Sequence, residues 1–457
     1  MKRSERWCLK AAMKSYSADL EKMLAARERR AGIQRRMLEG AGADSCLVCL
    51  TMNIAGETKR TPMIRMLFDT GVEMLRSQGF RIREEMLIDE VTGCEAFWLL
   101  DEEGRRVKAL LEEAEDAFPA ARLFDFDVML PGGSKLSRAV GRRCLICDSY
   151  AAECARSRRH GLAEIKKATD DLLRVFCAEK LAGAARDSLL DELYTTPKPG
   201  LVDMNNNGAH ADMDVPLFEK SADALYPYFK DAALLGMAGC GMGPLRERGI
   251  KAEREMFAAT GGVNTHKGLI YSMGLLLAGM GRCLIEGGSC TEHAAQLARE
   301  DAEERLSKVL AGPVTNGGAV YKAYGVRGAT GEAAAGFPDA LYCLERLSHY
   351  RESGCSEPAS LALCDSMAAL DDTNLLHRGG MEGLGFVKEE AARIAGMPPE
   401  ERPGELYALD RELISRGLSP GGSADMLALA FLLGRWQKIS ADLFVCEGEY
   451  QNDTAGA

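Results

Sequence analysis

Hydrophobic and polar positions change rhythm once along this chain. Between about residues 45 and 130, short apolar, β-prone runs ("SCLVCLTMNI", "CEAFWLL", "RLFDFDVML") alternate with stretches whose apolar residues recur at helical spacing, such as "PMIRMLFDTGVEMLRSQG" and "GRRVKALLEEAEDAF". That alternation predicts a mixed α/β (α+β) domain. From about residue 162 the strand signal nearly vanishes. "LAEIKKATDDLLRVFCAEKLAGAARDSLLDELY", "SCTEHAAQLAREDAEERLSKVLAG" and "SADMLALAFLLGRWQ" repeat apolar residues at helical spacing between Gly- and Pro-rich loops, so an all-α part follows. The expected architecture is multidomain, with a change-over near residues 165–180 that falls inside helical sequence. No fixed-period repeat, low-complexity linker or GxxxxGK[ST] phosphate loop is present.

Composition agrees with this picture. A length of 457 residues exceeds the roughly 100–200 residues of one domain, and 46% hydrophobic with 27% charged residues suits folded cores. A net charge of −11 argues against a nucleic-acid binder or an anionic-membrane binder, although "ARERRAGIQRR" is a local basic cluster able to hold a phosphorylated small molecule. No apolar run reaches the ~18 residues of a membrane span, and "MKRSERWCLKAAMK" lacks the apolar core of a secretion signal. The expected location is cytoplasmic, where fifteen scattered cysteines would be mostly buried, reduced thiols.

Candidate chemistry concentrates in loops of the helical half: "TTPKPGLVDMNNNGAHADMD" (195–214), "ATGGVNTHKG" (259–268), "VYKAYGVRGATGEAAAGFP" (320–338), "DDTNLLHRGG" (371–380) and "LSPGGSADML" (418–427). Each combines glycines, which admit a ligand to the backbone, with polar side chains suited to a nucleotide–metal site. Asp203, Asp212 and Asp214 are hard oxygen ligands for Mg²⁺, or one is a general base. Lys198, Lys267 and Arg378 are suited to a polyphosphate, and Asn207, His210, Asn264, His266, Asp372 and Asn374 add nucleotide-binding donors and acceptors. Gly421 and Gly422 precede Ser423, read as an N-cap, so a helix start there can hold a phosphate. Taken singly, each acid is also ordinary turn chemistry and each histidine an ordinary structural hydrogen-bonding residue.

Together and in order, these five motifs resemble the triphosphoribosyl-dephospho-CoA synthase family over about residues 180–435. The resemblance implies an all-α synthase-like domain (173–457) that joins ATP to 3′-dephospho-CoA with release of adenine. It implies metal or base roles for Asp203, Asp212 and Asp214, and triphosphate binding by Lys198 and Lys267. Two positions depart from the family pattern: "TNG" at 315–317 replaces Thr-His-Gly, and Thr330 stands where arginine is common.

In the front half, "RERRAGIQRRML", "LVCLTMNIAGETKRTPMIRMLFDTG", "RLFDFDVML" and "RRCLICDSYAAECARSRRHG" resemble a second family, the transferase that attaches this prosthetic group to apo-citrate lyase. This resemblance implies an N-terminal extension (1–20), a nucleotidyltransferase-like domain (21–172) and a protein partner, the acyl carrier (gamma) subunit of citrate lyase. Its serine would take the prosthetic group with release of pyrophosphate. On a strand, Asp125 and Asp127 share one face and can both hold Mg²⁺ at the attacked phosphate; the competing reading is a solvated strand face. Arg122, Lys59 and Arg60 are further phosphate candidates.

Cys144, Cys147, Cys154 and His160 offer four ligands for a structural Zn²⁺, at a spacing shorter than common fingers; packed reduced cysteines with a surface histidine account for them equally. Three other functions stay open beside the main one: a binding module on that zinc knuckle, the same chemistry serving malonate decarboxylase, and a fusion in which only the synthase half is active.

Overall fold

A computed structural model of the chain describes residues 18–311, 316–398, 401–444 and 449–450. Two compact units emerge, one spanning Ala178–Lys438 and the other the residues up to Cys177 together with the segment from Ile439. The division falls within a single helix, α5 (Leu162–Tyr194). The segment from Ile439 falls within the expected synthase-like span (173–457). Its described residues pack with the sheet unit, where buried Arg60 donates to the Leu443 and Asp442 carbonyls.

The sheet unit is α+β. β4 (Phe124–Met129), β1 (Cys46–Met52), β3 (Gly93–Leu100) and β2 (Ile82–Glu90) lie antiparallel in that order, and the two-residue β5 (Glu449–Tyr450) pairs with β2. Helix α1 (Leu20–Leu38) sets Ile33 and Met37 against Leu47, Cys49, Met86, Ile88, Phe97 and Leu99. On the other face α2 (Pro62–Arg76) approaches so closely that a β-carbon at Gly71 would lie 2.9 Å from both Leu50 and Phe124, so only glycine fits. β4 alternates: Phe124, Phe126 and Val128 are buried, while Asp125, Asp127 and Met129 are half-buried. Burying each phenylalanine contributes ~1.5–3 kcal/mol.

β4 is an edge strand, and α3 (Gly104–Asp116) covers its edge with side chains. Glu115 accepts from the Phe126 amide at 2.9 Å, and Lys108 donates to the Phe126 carbonyl at 2.9 Å. The backbone between the two aspartates is thus held on both sides.

The helical unit runs from the second half of α5 through α6 (Val215–Met237), α7 (Met242–Ala259), α8 (Lys267–Glu286), α9 (Cys290–Ala311), α10 (Asn316–Tyr324), α11 (Gly328–Ala335), α12 (Pro338–Glu352), α13 (Pro358–Ala369), α14 (Thr373–Ala395), α15 (Arg402–Arg416) and α16 (Gly421–Ser440). α8 is apolar and long enough to cross a membrane, but 78% of its apolar window is buried within the protein. It is a core helix. Its neighbour α6 comes near enough that a β-carbon at Gly236 would meet the Ala278 carbonyl. Thr330 lies in α11, whereas Thr315 falls outside the described residues.

Candidate active sites

In the helical unit, the loop 195–214 and the N-termini of α8, α14 and α16 interlock. Asp203 is buried and organises the loop: Oδ1 accepts from the Asn205 and Asn206 amides (2.7 and 3.1 Å) and Oδ2 from the Lys198 amide (3.0 Å). Asp410 on α15 clamps the loop from outside through Gly200 N (2.8 Å) and Asn206 Nδ2 (2.9 Å). A β-carbon at Gly200, whose φ is +73°, would lie 2.6 Å from the Leu418 carbonyl, so glycine is required there. Lys198, expected among the triphosphate cations, is buried and ion-paired with Glu192 at 2.6 Å.

His266 opens α8 as a buried side chain. Thr265 Oγ1 donates to Ser221 Oγ (2.7 Å), which is also hydrogen-bonded to His266 Nδ1 (2.7 Å). Burial, aided by Lys198, pulls His266 down to about 3, so the ring is neutral. His266 Nε2 is buried without a hydrogen-bond partner among the described residues.

Asp372 caps α14 through Oδ1 and reaches across to α16, where Oδ2 accepts from both Ser423 N (2.8 Å) and Ser423 Oγ (3.1 Å). This corrects the N-cap expectation. Ser423 lies within the first turn of α16, and the Asp372 carboxylate already occupies its amide, one of those proposed for a phosphate. A β-carbon at Gly422 would sit 3.0 Å from that carboxylate, and one at Gly421 2.5 Å from Asn374 Nδ2.

Asp425, one turn into α16, is the acid that sequence reasoning did not single out. A β-carbon at Gly268 would lie 2.8 Å from its Oδ2, so this carboxylate rests against the first turn of α8. Burial, reinforced by Asp372 and Glu192, pushes its pKa well above the usual carboxylate range. The only hint in the sequence was its place in the "SPGGSAD" motif.

The remaining expected residues lie around this centre. Arg378 donates to the Ala209 and Gly417 carbonyls and to His210 Nδ1 (3.1, 3.1 and 3.2 Å), leaving His210 Nε2 to donate to Ser419 Oγ at 2.9 Å. Exposed Asp214 caps α6 by accepting from Leu217 N (2.9 Å), and Asn264 accepts from the Lys267 amide at the start of α8. Lys267 pairs with Glu253 at 2.6 Å and is half exposed; Asn207, Asp212 and Asn374 are exposed.

In the sheet unit, Asp125 and Asp127 line a cleft of about 330 Å³ with Lys108, Lys135, Leu136, Ser137, Arg138 and Arg142. Lys135 meets Asp127 at 2.5 Å, and Arg142 bridges Asp125 (3.1 Å) and Glu115 (2.6 Å). Two acids among four cations can hold a metal and a polyphosphate together. The cations expected from the sequence sit elsewhere. Arg60 is buried against Asp89, Arg122 donates to the Arg143 and Cys144 carbonyls, and Lys59 donates to the Ile54 carbonyl. Arg29 and Arg30 of the basic α1 cluster pair with Glu90 and Glu95. Lys135, Arg138 and Arg142 were missed because their run, "SKLSRAVGRR", has no periodic signal.

Cys144, Cys147, Cys154 and His160 do converge, with all four ligand atoms within 4.8 Å of one another.

Comparison with known proteins matches residues 178–443 to the family described as ATP:dephospho-CoA triphosphoribosyl transferase (CitG) and residues 18–176 to apo-citrate lyase phosphoribosyl-dephospho-CoA transferase (CitX). Protein CitXG of Haemophilus influenzae is 33% identical over 442 residues, covering 90% of this chain and 94% of that protein. The 2-(5''-triphosphoribosyl)-3'-dephosphocoenzyme-A synthase of Klebsiella pneumoniae is 40% identical over 275 residues, 56% of this chain and 90% of its own. A probable synthase of the same description from Salmonella typhimurium is 38% identical over 278 residues, covering 57% and 91%.

Proposed function

The chain belongs to the CitG family, fused behind a CitX-type transferase as in CitXG and serving citrate lyase prosthetic-group biosynthesis, and we propose from that premise that one polypeptide both makes and attaches the group. In the helical unit, the 2′-hydroxyl of 3′-dephospho-CoA bonds to the ribose anomeric carbon of ATP as the bond to adenine breaks. In the sheet unit, a serine hydroxyl of the citrate lyase acyl carrier subunit attacks the phosphate nearest the ribose, and pyrophosphate leaves.

The observation that carries the first step is Asp425. Its carboxylate, set against the first turn of α8, is our general base for the attacking hydroxyl, and burial raises its proton affinity above the usual carboxylate range. Its negative charge also favours the cationic ribose that forms as adenine departs. His266 Nε2–H donates to the bound nucleotide, and Lys267, at the start of α8, holds a phosphate. Asp203 orients the loop rather than touching substrate, while exposed Asp212 and Asp214 are the acids that would hold Mg²⁺ on the triphosphate.

For the second step, Asp125 and Asp127 would hold Mg²⁺, an arrangement their shared face fits; the ion would polarise the attacked phosphate. Lys135, Arg138 and Arg142 neutralise the departing pyrophosphate. On this acid pair we read the sheet unit as nucleotidyltransferase-like, and the CitX match favours citrate lyase over malonate decarboxylase. The same reading puts the enzyme in the cytoplasm, with its nucleotide substrates.

The test is incubation with Mg²⁺, ATP and 3′-dephospho-CoA, with mass detection of adenine and the condensed nucleotide, followed by addition of the apo-carrier. Both products and a labelled carrier are expected. Absence of adenine release from folded, nucleotide-binding protein would overturn the reading.

A further inference from the structure

Between Val128 and Leu173 the chain has almost no core. Cys154 is the single buried apolar residue in that stretch, and Val140, Ile146 and Tyr150 are exposed. Yet the segment carries Arg138 and Arg142 to the acid pair. Apart from the ion pairs of Lys135, Arg138 and Arg142 little fixes its geometry, and a segment too poor in apolar residues to pack is commonly organised by a metal.

The backbone is already folded as a knuckle. Ala151 N donates to the Arg142 carbonyl (2.8 Å) and Cys144 N to the Ser149 carbonyl (2.8 Å), which makes a hairpin with Cys144 and Cys147 at its tip. Ile146 N donates to Cys144 Sγ at 3.5 Å. The short α4 (Ala151–Ser157) presents Cys154, and a left-handed turn at Arg158 brings His160 back. Cys147 Sγ lies 3.5 Å from Cys154 Sγ and 3.3 Å from His160 Nε2. Sulfur ligands 2.3 Å from one tetrahedral zinc lie about 3.8 Å apart, so the four side chains stand close to metal-binding positions. Packing of reduced thiols does not explain this, since Cys144, Cys147 and His160 are all partly open to solvent.

We propose that Cys144, Cys147, Cys154 and His160 bind one structural Zn²⁺, and that this ion holds the hairpin whose first strand sets Arg142 over Asp125. Three thiols and an imidazole suit zinc rather than Mg²⁺, which favours oxygen ligands. The link to Arg142 is short: its carbonyl closes the hairpin at Ala151, and Arg122 braces the same turn through the Arg143 and Cys144 carbonyls (2.8 and 2.7 Å).

The positioning part rests on the proposed carrier transfer, whereas the metal part does not, so the two can fail separately. The full chain, purified under reductant, should contain one zinc per chain by elemental mass spectrometry. Co²⁺ in its place should show thiolate-to-cobalt charge-transfer absorption, and Cys144→Ser with Cys154→Ser should abolish both. Removing the zinc with a zinc-selective chelator, Mg²⁺ being kept in excess, should lower carrier labelling about 10²-fold, the usual cost of misplacing a positioned group by about 1 Å, with zinc restoring it and adenine release unchanged. Arg142→Ala should show the same loss of labelling while keeping its zinc. Substoichiometric metal, with the thiols freely alkylated or Cys147 and Cys154 joined as a disulfide, overturns the site. Bound zinc whose removal leaves labelling unaltered overturns its link to Arg142.

Discussion

The two units display their acids in opposite ways. In the sheet unit, Asp125 and Asp127 lie half-open on one face of β4 and meet cations across a cleft. In the helical unit, Asp203 and Asp372 are buried and bound to backbone amides, and Asp425 is pressed against α8. A strand exposes alternate residues as a consequence of its geometry, so chemistry on it needs no further support. A helical bundle exposes chemistry at its helix starts, where the same residue types serve as caps. Function and architecture therefore compete for the same aspartates in the second unit and are separate in the first.

The largest break in this comparison is replacing the open pair. Asp125→Ala with Asp127→Ala should reduce carrier labelling on the order of 10⁴-fold, since metal-assisted phosphate chemistry accounts for several kcal/mol at ~1.4 kcal/mol per decade. Adenine release should be unchanged, because nothing in β4 belongs to the helical unit. Parallel loss of both activities would mean that the units do not act separately.

Next is Asp425→Asn, expected to lower adenine release about 10³-fold, within the usual range for a general base, while a supplied triphosphoribosyl product is still transferred to the carrier. A base must be ionised, so in the wild type the synthase rate should climb with pH through a midpoint above the ordinary carboxylate range. The variant should lose that limb. Stability should move the other way. A carboxyl whose folded pKa is raised contributes its full stability below the unfolded value near 3.9 and loses it as pH rises through the folded pKa. Asp425→Asn should therefore melt higher than wild type at neutral pH and equally at acid pH. A rate loss accompanied by a lower melting temperature would point to a structural role.

This contrast also marks what the sequence could disclose. The alternation of "FDFD" sufficed to place both aspartates on one face, because period two has a single structural meaning. The five helical-unit motifs revealed the place of the site but not its division of labour. "SPGGSAD" reads as a Ser423 cap; only the three-dimensional contact between Asp372 and Ser423 shows that α16 is capped from another helix, with no such bond to Asp425 among the described residues. Lys198 likewise reads as a phosphate ligand until Glu192 appears beside it. Cations such as Arg142 were hidden because an irregular segment encodes no period.

Gly268→Ala tests the crowding around Asp425 without changing any charge. The added β-carbon would lie 2.8 Å from the Asp425 carboxylate, inside the distance real contacts tolerate, so the acid must shift. A displacement of about 1 Å in a reacting group costs up to about 10²-fold. The expected result is a fall of that order in the adenine-release kcat, with carrier labelling intact and the pH limb of Asp425 displaced but present. An unchanged rate would place Asp425 outside the reacting centre.

The smallest effect should come from Lys267, an expected triphosphate cation that is still half-open. Lys267 begins α8 and pairs with Glu253 across the surface, and an exposed pair of this kind contributes only about 0–1 kcal/mol to stability. Lys267→Met should thus barely alter melting. If the ammonium holds a phosphate, the KM for ATP should rise about tenfold, equivalent to ~1.4 kcal/mol of binding, with kcat little changed, because the triphosphate is bound equally before and during reaction. Glu253→Gln should act in the opposite direction, freeing Lys267 and lowering that KM. If both variants leave the KM in place, Lys267 is a solvated surface charge. The helical unit would then bind the triphosphate chiefly through helix starts, loop amides and metal-held oxygens, a further departure from the cation-lined cleft of the sheet unit.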